Sequence, residues 1–244
     1  MISVFGGAWT TWDGTIPASF AGKSLGGAKL AKIDDVPALC RRIAGVIQAI
    51  KPDILAVQKG PPRKDQMELF VQQFLGDSYV VHTSNARNQA LHCLVRKAIA
   101  SKVTSYAADG AETAPLRSKV PFYPWGAIEE SERAEHRFDR TPLVLTLTAG
   151  AGKVLRIVNV HAKSKFSKLK TLAQWQNRDR EAILDALLAR QKLSAEIGRL
   201  REYVLGDLMT PVGGPDACVI LGDFNDGAYA ELMEREFLIH NVLD

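Results

Sequence analysis

"ACVILGDFNDG", residues Ala217 to Gly227, decides how the rest of this 244-residue sequence is read. Four apolar residues, Cys218 to Leu221, form a run of the kind that a buried strand carries. They lead straight into Gly222-Asp223-Phe224-Asn225. Residues two apart on an extended chain point the same way. Asp223 and Asn225 are therefore expected to project together from the strand's C-terminal end, while Phe224 turns back into the core. Gly222 leaves room for a neighbouring backbone or a substrate. A carboxylate beside an amide suits phosphate chemistry: the carboxylate can orient and deprotonate a water or bind a divalent metal, and the amide can donate to a phosphoryl oxygen. The plainer reading is a strand that ends in turn-forming Asp and Asn.

A second stretch, "RIVNVHAKSK" from Arg156 to Lys165, favours the chemical reading. Asn159, His161 and Lys163 alternate with Val160 and Ala162, so three polar side chains share one face at the end of a buried strand. Burying an imidazole, an amide and an ammonium together is costly unless something partners them, and a phosphate would do so. His161 then reads as a general acid or an electrostatic clamp, and Lys163 as a charge partner. A structural histidine satisfied within the core is the alternative.

Around these two stretches the periodicity describes a layered α/β chain. Asp34 and Asp35 can cap a helix with Pro37 in its first turn, and the apolar residues from Val36 to Ile50 recur at helical spacing. Lys51-Pro52-Asp53 ends it, and Ile54 to Val57 reads as a strand buried on both faces. Lys64 to Phe74 predicts a second helix, closed by Gly76. Strands are expected at Met1 to Ala8, Tyr79 to His82, Ala90 to Val95, Ser101 to Tyr106, Leu143 to Thr148 and Val154 to Val160, with Ala149 to Lys153 as the turn of a hairpin. Thr10 to Lys29 reads as loop. Lys168 to Leu208 predicts the longest helical region, with Gly198 as a bend or join, and Ala228 to Phe237 a last short helix. Residues 107–139 are interrupted by Pro115, Pro121 and Pro124 and read as a surface loop or insertion, whose Phe122, Tyr123 and Trp125 either stack on a substrate or pin the loop to the body. The expectation is one mixed α/β domain over residues 1–244.

Composition narrows the partners only a little. The formal net charge is +4, with 46% hydrophobic and 24% charged residues. This is the balance of an ordinary globular protein, mildly disposed towards a polyanion. Cys40, Cys93 and Cys218 each lie in an apolar run without a C-x-x-C pair, as buried reduced thiols do. No apolar stretch approaches the roughly 20 residues that span a bilayer, and the N-terminus lacks a charged segment followed by an apolar one. A cytoplasmic protein is expected. The oligomeric state is not legible.

The motifs now on the page carry a family likeness. "NVHAKS" followed by "VILGDFND" resembles the endonuclease/exonuclease/phosphatase family, the deoxyribonuclease-I-like hydrolases. "KPDILAVQ", Lys51 to Gln58, is similar to an earlier strand of that family, and "RTPLVLTL", from Arg140, to its Arg-x-Pro strand. The resemblance implies a four-layer α/β/β/α sandwich and metal-dependent cleavage of a phosphoester by an in-line water, with Mg²⁺ or Mn²⁺ as cofactor. By position, His161 would bind or protonate the scissile phosphate. Asp223 would activate the water and bind metal, and Asn225 would hold a phosphoryl oxygen. Asn159, Lys163, Arg140 and Lys59 are the further substrate contacts expected. The implied function is a metal-dependent phosphodiester hydrolase, a nuclease, with nucleic acid or another phosphoester as partner.

Three positions depart from the family pattern. Lys59 stands where the family carries a metal-binding Glu, and an ammonium has donors only. Gly6 follows Phe5 where the family has Asn. The family's closing strands and Ser-Asp-His do not appear before Asp244, so the sandwich is expected to be C-terminally incomplete. Lys59 is accordingly expected to hold phosphate better than it supports hydrolysis. Two other readings stay open: a catalytically inactive binding module for nucleic acid or protein, and a phosphatase or phospholipid phosphodiesterase.

Overall fold

The computed structural model describes residues 12–25, 28–84, 89–106, 110–124, 129–210 and 212–226. The expectations for Met1 to Ala8, Gly6, Trp125 and Ala228 to Phe237 lie outside these residues. A small antiparallel hairpin, β1 (Lys23–Leu25) and β2 (Ala28–Leu30), lies where the sequence reads as loop. Helix α1 (Val36–Ile50) begins as expected: the Asp35 side chain accepts from the Ala38 N–H at 2.8 Å and Pro37 lies in the first turn, where no helical partner for its missing N–H is needed. Lys51, in the left-handed region at φ 51°, closes it.

Strand β3 (Ile54–Gly60), helix α2 (Lys64–Phe74), β4 (Tyr79–Thr83), β5 (Ala90–Arg96) and β6 (Val103–Ser105) follow. After them come a short helix α3 (Ala114–Arg117), the hairpin β7 (Val120–Phe122) and β8 (Ala134–His136), then β9 (Leu143–Thr148) and β10 (Val154–His161). Helix α4 (Leu172–Gln176), helix α5 (Arg180–Glu202) and β11 (Ala217–Asp223) complete the described chain. The break in the long helical region falls at residues 177–179, where Asp179 caps α5 by accepting from the Ala182 N–H. It does not fall at Gly198, which α5 passes straight through. The helix instead widens to a π-turn over Tyr203–Met209. Residues 107–139 contain α3 and the β7–β8 hairpin, and both pack against α5.

Two sheets form the centre. One is antiparallel in the order β3-β5-β4; the other runs β11-β10-β9-β6, with β11 parallel to β10. The period-two alternation of each strand sorts its side chains into layers. Leu91, Cys93 and Val95 of β5 meet Leu143 and Leu145 of β9 and Ile157 of β10 in a core between the sheets. Leu94 of β5 and Val81 of β4 point the other way, onto Cys40, Ile47, Met67 and Phe70 of α1 and α2. Val144 of β9 and Val158 and Val160 of β10 face Leu193 and Leu200 of α5 and Tyr203 beyond it. Helices, sheet, sheet and helix are stacked in that order, so the fold is the four-layer α/β/β/α sandwich that the resemblance implies.

Two strands differ from expectation for the same reason. β3 is half-buried along Ile54–Gln58 and not enclosed on both faces, and β11 leaves Val219 and Ile220 exposed at 42% and 37%. Each is the outermost strand of its sheet among the described residues. An apolar run alone does not distinguish a central strand from an edge strand.

Candidate active site

The parallel pairing of β10 with β11 sets the geometry. In register, Asn159 lies beside Leu221, Val160 beside Gly222 and His161 beside Asp223. Gly222 makes the approach possible: it adopts φ 142°, and a Cβ there would stand 1.9 Å from the Val160 carbonyl oxygen. Any side chain would push β11 away from β10. The imidazole and the carboxylate thus emerge together, with His161 Nε2 3.6 Å from Asp223 Oδ2.

The third contributor comes from the other sheet. β3 loses register with β5 between Val57 and Gly60, and Lys59 adopts φ 52° in that bulge. Gly60 is seated on the ring of His92, where a Cβ would lie 2.2 Å from the ring carbon Cδ2. The bulge aims Lys59 across the sandwich, and its ammonium Nζ lies 2.9 Å from Asp223 Oδ2. The other carboxylate oxygen, Oδ1, accepts the backbone N–H of Asn225 at 3.1 Å. Asn225, at φ 53°, donates its own amide Nδ2 to the Ala162 carbonyl at 2.7 Å. Phe224 turns inward onto the α5-side core as the alternation requires.

Charge states follow from these surroundings. Burial pushes the His161 imidazole down; Arg140 and Lys59 push the same way, Asp223 opposes them, and the result is about 4. His161 is therefore neutral near pH 7. Its ring is 2% exposed, and Nδ1 has no hydrogen-bond partner among the described residues. Burial alone would raise the Asp223 carboxyl, but the hydrogen bond from Lys59, the Asn225 N–H and the nearby positive charge outweigh it and hold the group below its usual range. The site thus brings together an exposed positive charge, an ionised carboxylate and, almost wholly buried beneath them, a neutral imidazole.

The remaining expected residues make contacts of their own within the fold. Asn159, expected to contact substrate, is fully buried. Its Nδ2 donates to the His92 carbonyl at 3.0 Å, and its Oδ1 accepts from Gln58 Nε2 at 2.7 Å. It is a strut between the sheets. Arg140 also turns to the backbone: Nε donates to the His161 carbonyl at 3.1 Å and Nη2 to that of Ala162 at 3.0 Å. It fixes the end of β10, and its charge helps keep His161 neutral. Lys163 has its ammonium 3.5 Å from the Ser164 carbonyl and its backbone N–H on Glu196 Oε2 at 2.6 Å; the cation on Asp223 is Lys59 instead.

Several contributors escape a reading by motif. Gln58 and His92 carry the strut between the sheets. His92 is fully buried, with Nδ1 2.8 Å from Thr83 Oγ1 and Nε2 2.8 Å from the Pro61 carbonyl. Glu196 of α5, 2% exposed, receives His136 Nε2 at 2.8 Å and the Asp139 N–H at 3.4 Å as well as Lys163. It pins the chain on both sides of Arg140 and the end of β10. Lys165 and Asp226 pair at 2.7 Å just past the site. Nothing in the periodicity singles out a carboxylate on a long amphipathic helix. Asp226 does stand directly after Asn225, and that adjacency was the available signal.

The Mg²⁺ or Mn²⁺ that the resemblance implies does not fit these residues. Hard cations want several oxygen ligands. Here one oxygen of Asp223 already holds an ammonium and the other a backbone N–H, and the position of a second carboxylate is filled by Lys59, which can only donate. Among the described residues no three His, Cys, Asp or Glu side chains converge.

No known family profile matches the sequence, and no curated protein matches it. Solved structures do. A humanized D. rerio TDP2 shares 13% identity at a TM-score of 0.41, over 76% of this chain and 58% of that one. A truncated Caenorhabditis elegans TDP2 shares 16% at 0.39, over 77% and 55%. The AP endonuclease LMAP of Leishmania major shares 14% at 0.37, over 76% and 49%. The chain thus spans about half the length of the structures that it resembles.

Proposed function

We propose that this chain is a phosphodiester hydrolase of the nuclease type, and that its Lys59–His161–Asp223 opening receives a phosphodiester of nucleic acid. The observation that carries the reading is the convergence of Lys59 from β3 and His161 from β10, across two sheets, on one carboxylate oxygen of Asp223 from β11. Lys59 supplies charge to a phosphoryl oxygen. His161, neutral and carrying its proton on Nε2, donates a hydrogen bond to a second oxygen. Asp223, ionised, orients the attacking water and accepts its proton as the water oxygen bonds to phosphorus. The leaving oxygen takes its proton from solvent. Arg140 and Asn225 hold the His161–Ala162 backbone on which this depends.

The test is cleavage of a fluorescein-labelled single-stranded oligonucleotide. Asp223→Asn and His161→Gln are expected to lower the rate by about 10²–10⁴-fold, the usual worth of a positioned acid or base. A second reading, a binding module that does not cleave, is favoured by one observation: Lys59 already sits on the carboxylate and lowers its basicity. Tight complexes without products in the wild type would select it. A steep loss of affinity between low and moderate salt supports a polyanionic substrate, whereas a phospholipid or inositol phosphate would show much less.

A further inference from the structure

We propose that the Lys59 ammonium is the resident cation of this site: it holds the phosphoryl group in place of a divalent metal, and in doing so frees Asp223 for water. The inference rests on the reading of the opening as a phosphodiester site and says what charge serves it.

The ammonium is built in. Its backbone is held in the left-handed region within the β3 bulge, and the next residue, Gly60, is seated so closely on His92 that no side chain fits there. His92 is in turn held at both ring nitrogens, by Thr83 and Pro61. Gln58, on the other side of Lys59, is tied through Asn159 to the second sheet. The base of the lysine is therefore fixed on either side while its tip stays at the mouth: the Lys59 side chain is 56% exposed and that of Asp223 31%.

The charges suit a phosphodiester and not a metal. Lys59 and Asp223 cancel, and His161 is neutral, so these three side chains together carry no net charge, and Arg140 behind them adds a positive one. A divalent cation entering the opening meets an ammonium on the one carboxylate it would need. A phosphodiester monoanion meets an ammonium with three N–H donors, of which the contact with Asp223 occupies one. As Lys59 turns its donors to a phosphoryl oxygen, Asp223 Oδ2 is released to accept from a water, beside the His161 Nε2 that lies 3.6 Å away. The ion pair thus masks the carboxylate until a phosphoryl group draws the lysine off.

Two measurements on the full chain test this. The first is Mn²⁺ binding by electron paramagnetic resonance, with no substrate present. Wild type is expected to leave the free Mn²⁺ signal undiminished, and Lys59→Glu, which places two carboxylates together, to reduce it. The second is binding of a fluorescein-labelled oligonucleotide by anisotropy, with EDTA or with Mg²⁺. Wild-type affinity is expected to stay within about 2-fold between the two conditions. Lys59→Met is expected to weaken it by roughly 10–100-fold, the worth of one charge-assisted contact, with recovery in Lys59→Arg. Circular dichroism of each variant checks that it folds. Wild-type Mn²⁺ binding that Asp223→Asn abolishes, loss of oligonucleotide binding in EDTA, or binding indifferent to Lys59 would each overturn the proposal. Lys59-dependent binding in EDTA without cleavage would defeat the hydrolase reading and leave this one standing.

Discussion

His92 and His161 invite comparison. Each lies on an interior strand of its sheet as far as the described residues show, each is almost wholly buried, and burial pushes each imidazole down to about 4. Their nitrogens differ. Both ring nitrogens of His92 are engaged, one by Thr83 and one by the Pro61 carbonyl. In His161, Nδ1 is without a partner among the described residues and Nε2 stands just beyond hydrogen-bond distance from a carboxylate that Lys59 also holds. Buried polar groups are satisfied in the ordinary course of folding, so an unsatisfied one marks a place where the fold has kept something back. His92 is part of the frame, and His161 is part of what the frame presents.

Acid gives the largest expected effect and acts on both. A group whose folded pKa lies below its unfolded value binds fewer protons folded than unfolded, so its stabilisation is complete above the unfolded value and fades as pH falls towards the folded one. For these two histidines the window runs from 6.5 down to about 4. Together they are expected to cost on the order of 5 kcal/mol across it, and His82, lowered by burial and by Lys64, adds to the slope. Urea midpoints at pH 7 and pH 4.5 measure this. Equal midpoints would remove the buried-neutral description of both rings.

The same substitution at both positions separates them. His92→Phe leaves the Thr83 hydroxyl and the Pro61 carbonyl without partners and is expected to cost about 3 kcal/mol of unfolding free energy. His161→Phe breaks no hydrogen bond that the ring nitrogens make within the described chain, and is expected to stay within about 1 kcal/mol while removing cleavage. Matching costs in denaturant titrations would erase the distinction between frame and site. A parallel pair sharpens it at smaller scale. Asn159→Leu takes the side-chain partner from the Gln58 amide and the His92 carbonyl and is expected to cost about 2 kcal/mol. Asn225→Ala removes one of two donors on the Ala162 carbonyl, since Arg140 still serves it, and is expected to cost less than about 1 kcal/mol.

This contrast also explains what the sequence could and could not tell. The strand runs, the Asp35 cap with Pro37 and the β9–β10 hairpin are local patterns, and local patterns are legible because they depend on backbone periods of 2 and 3.6; Asn225 departs from the period, because β11 ends at Asp223 and Asn225 turns into the left-handed region at φ 53°. The alternation of Asn159, His161 and Lys163 is equally legible, but the period says only that they share a face. It does not say at what depth each lies. Whether a residue is strut or site depends on where the second sheet stops, and that is set by the β3 bulge, a feature without a signature in "AVQKGPPR". That Lys59 stands where the resemblance implies a carboxylate is visible in that string. Its consequence, an ion pair reaching from one sheet to the other, is not, because residues 59 and 223 are brought together only by the packing of the whole sandwich.

That ion pair supplies the smallest expected stability effect and the clearest functional one. The Lys59 and Asp223 side chains are 56% and 31% exposed, so solvent and salt screen their attraction. A double-mutant cycle with Lys59→Met and Asp223→Asn is expected to give a coupling in unfolding free energy below about 1 kcal/mol, reduced further in high salt. In oligonucleotide binding the two single variants should part company. Lys59→Met weakens the complex, whereas Asp223→Asn strengthens it, because removing the carboxylate both lifts a negative charge from the phosphoryl site and frees the ammonium to donate to the ligand. Anisotropy titrations read this sign directly. A metal-centred site would lose affinity on removal of its carboxylate, so weakening by Asp223→Asn would place the charge that grips the phosphoryl group somewhere other than Lys59.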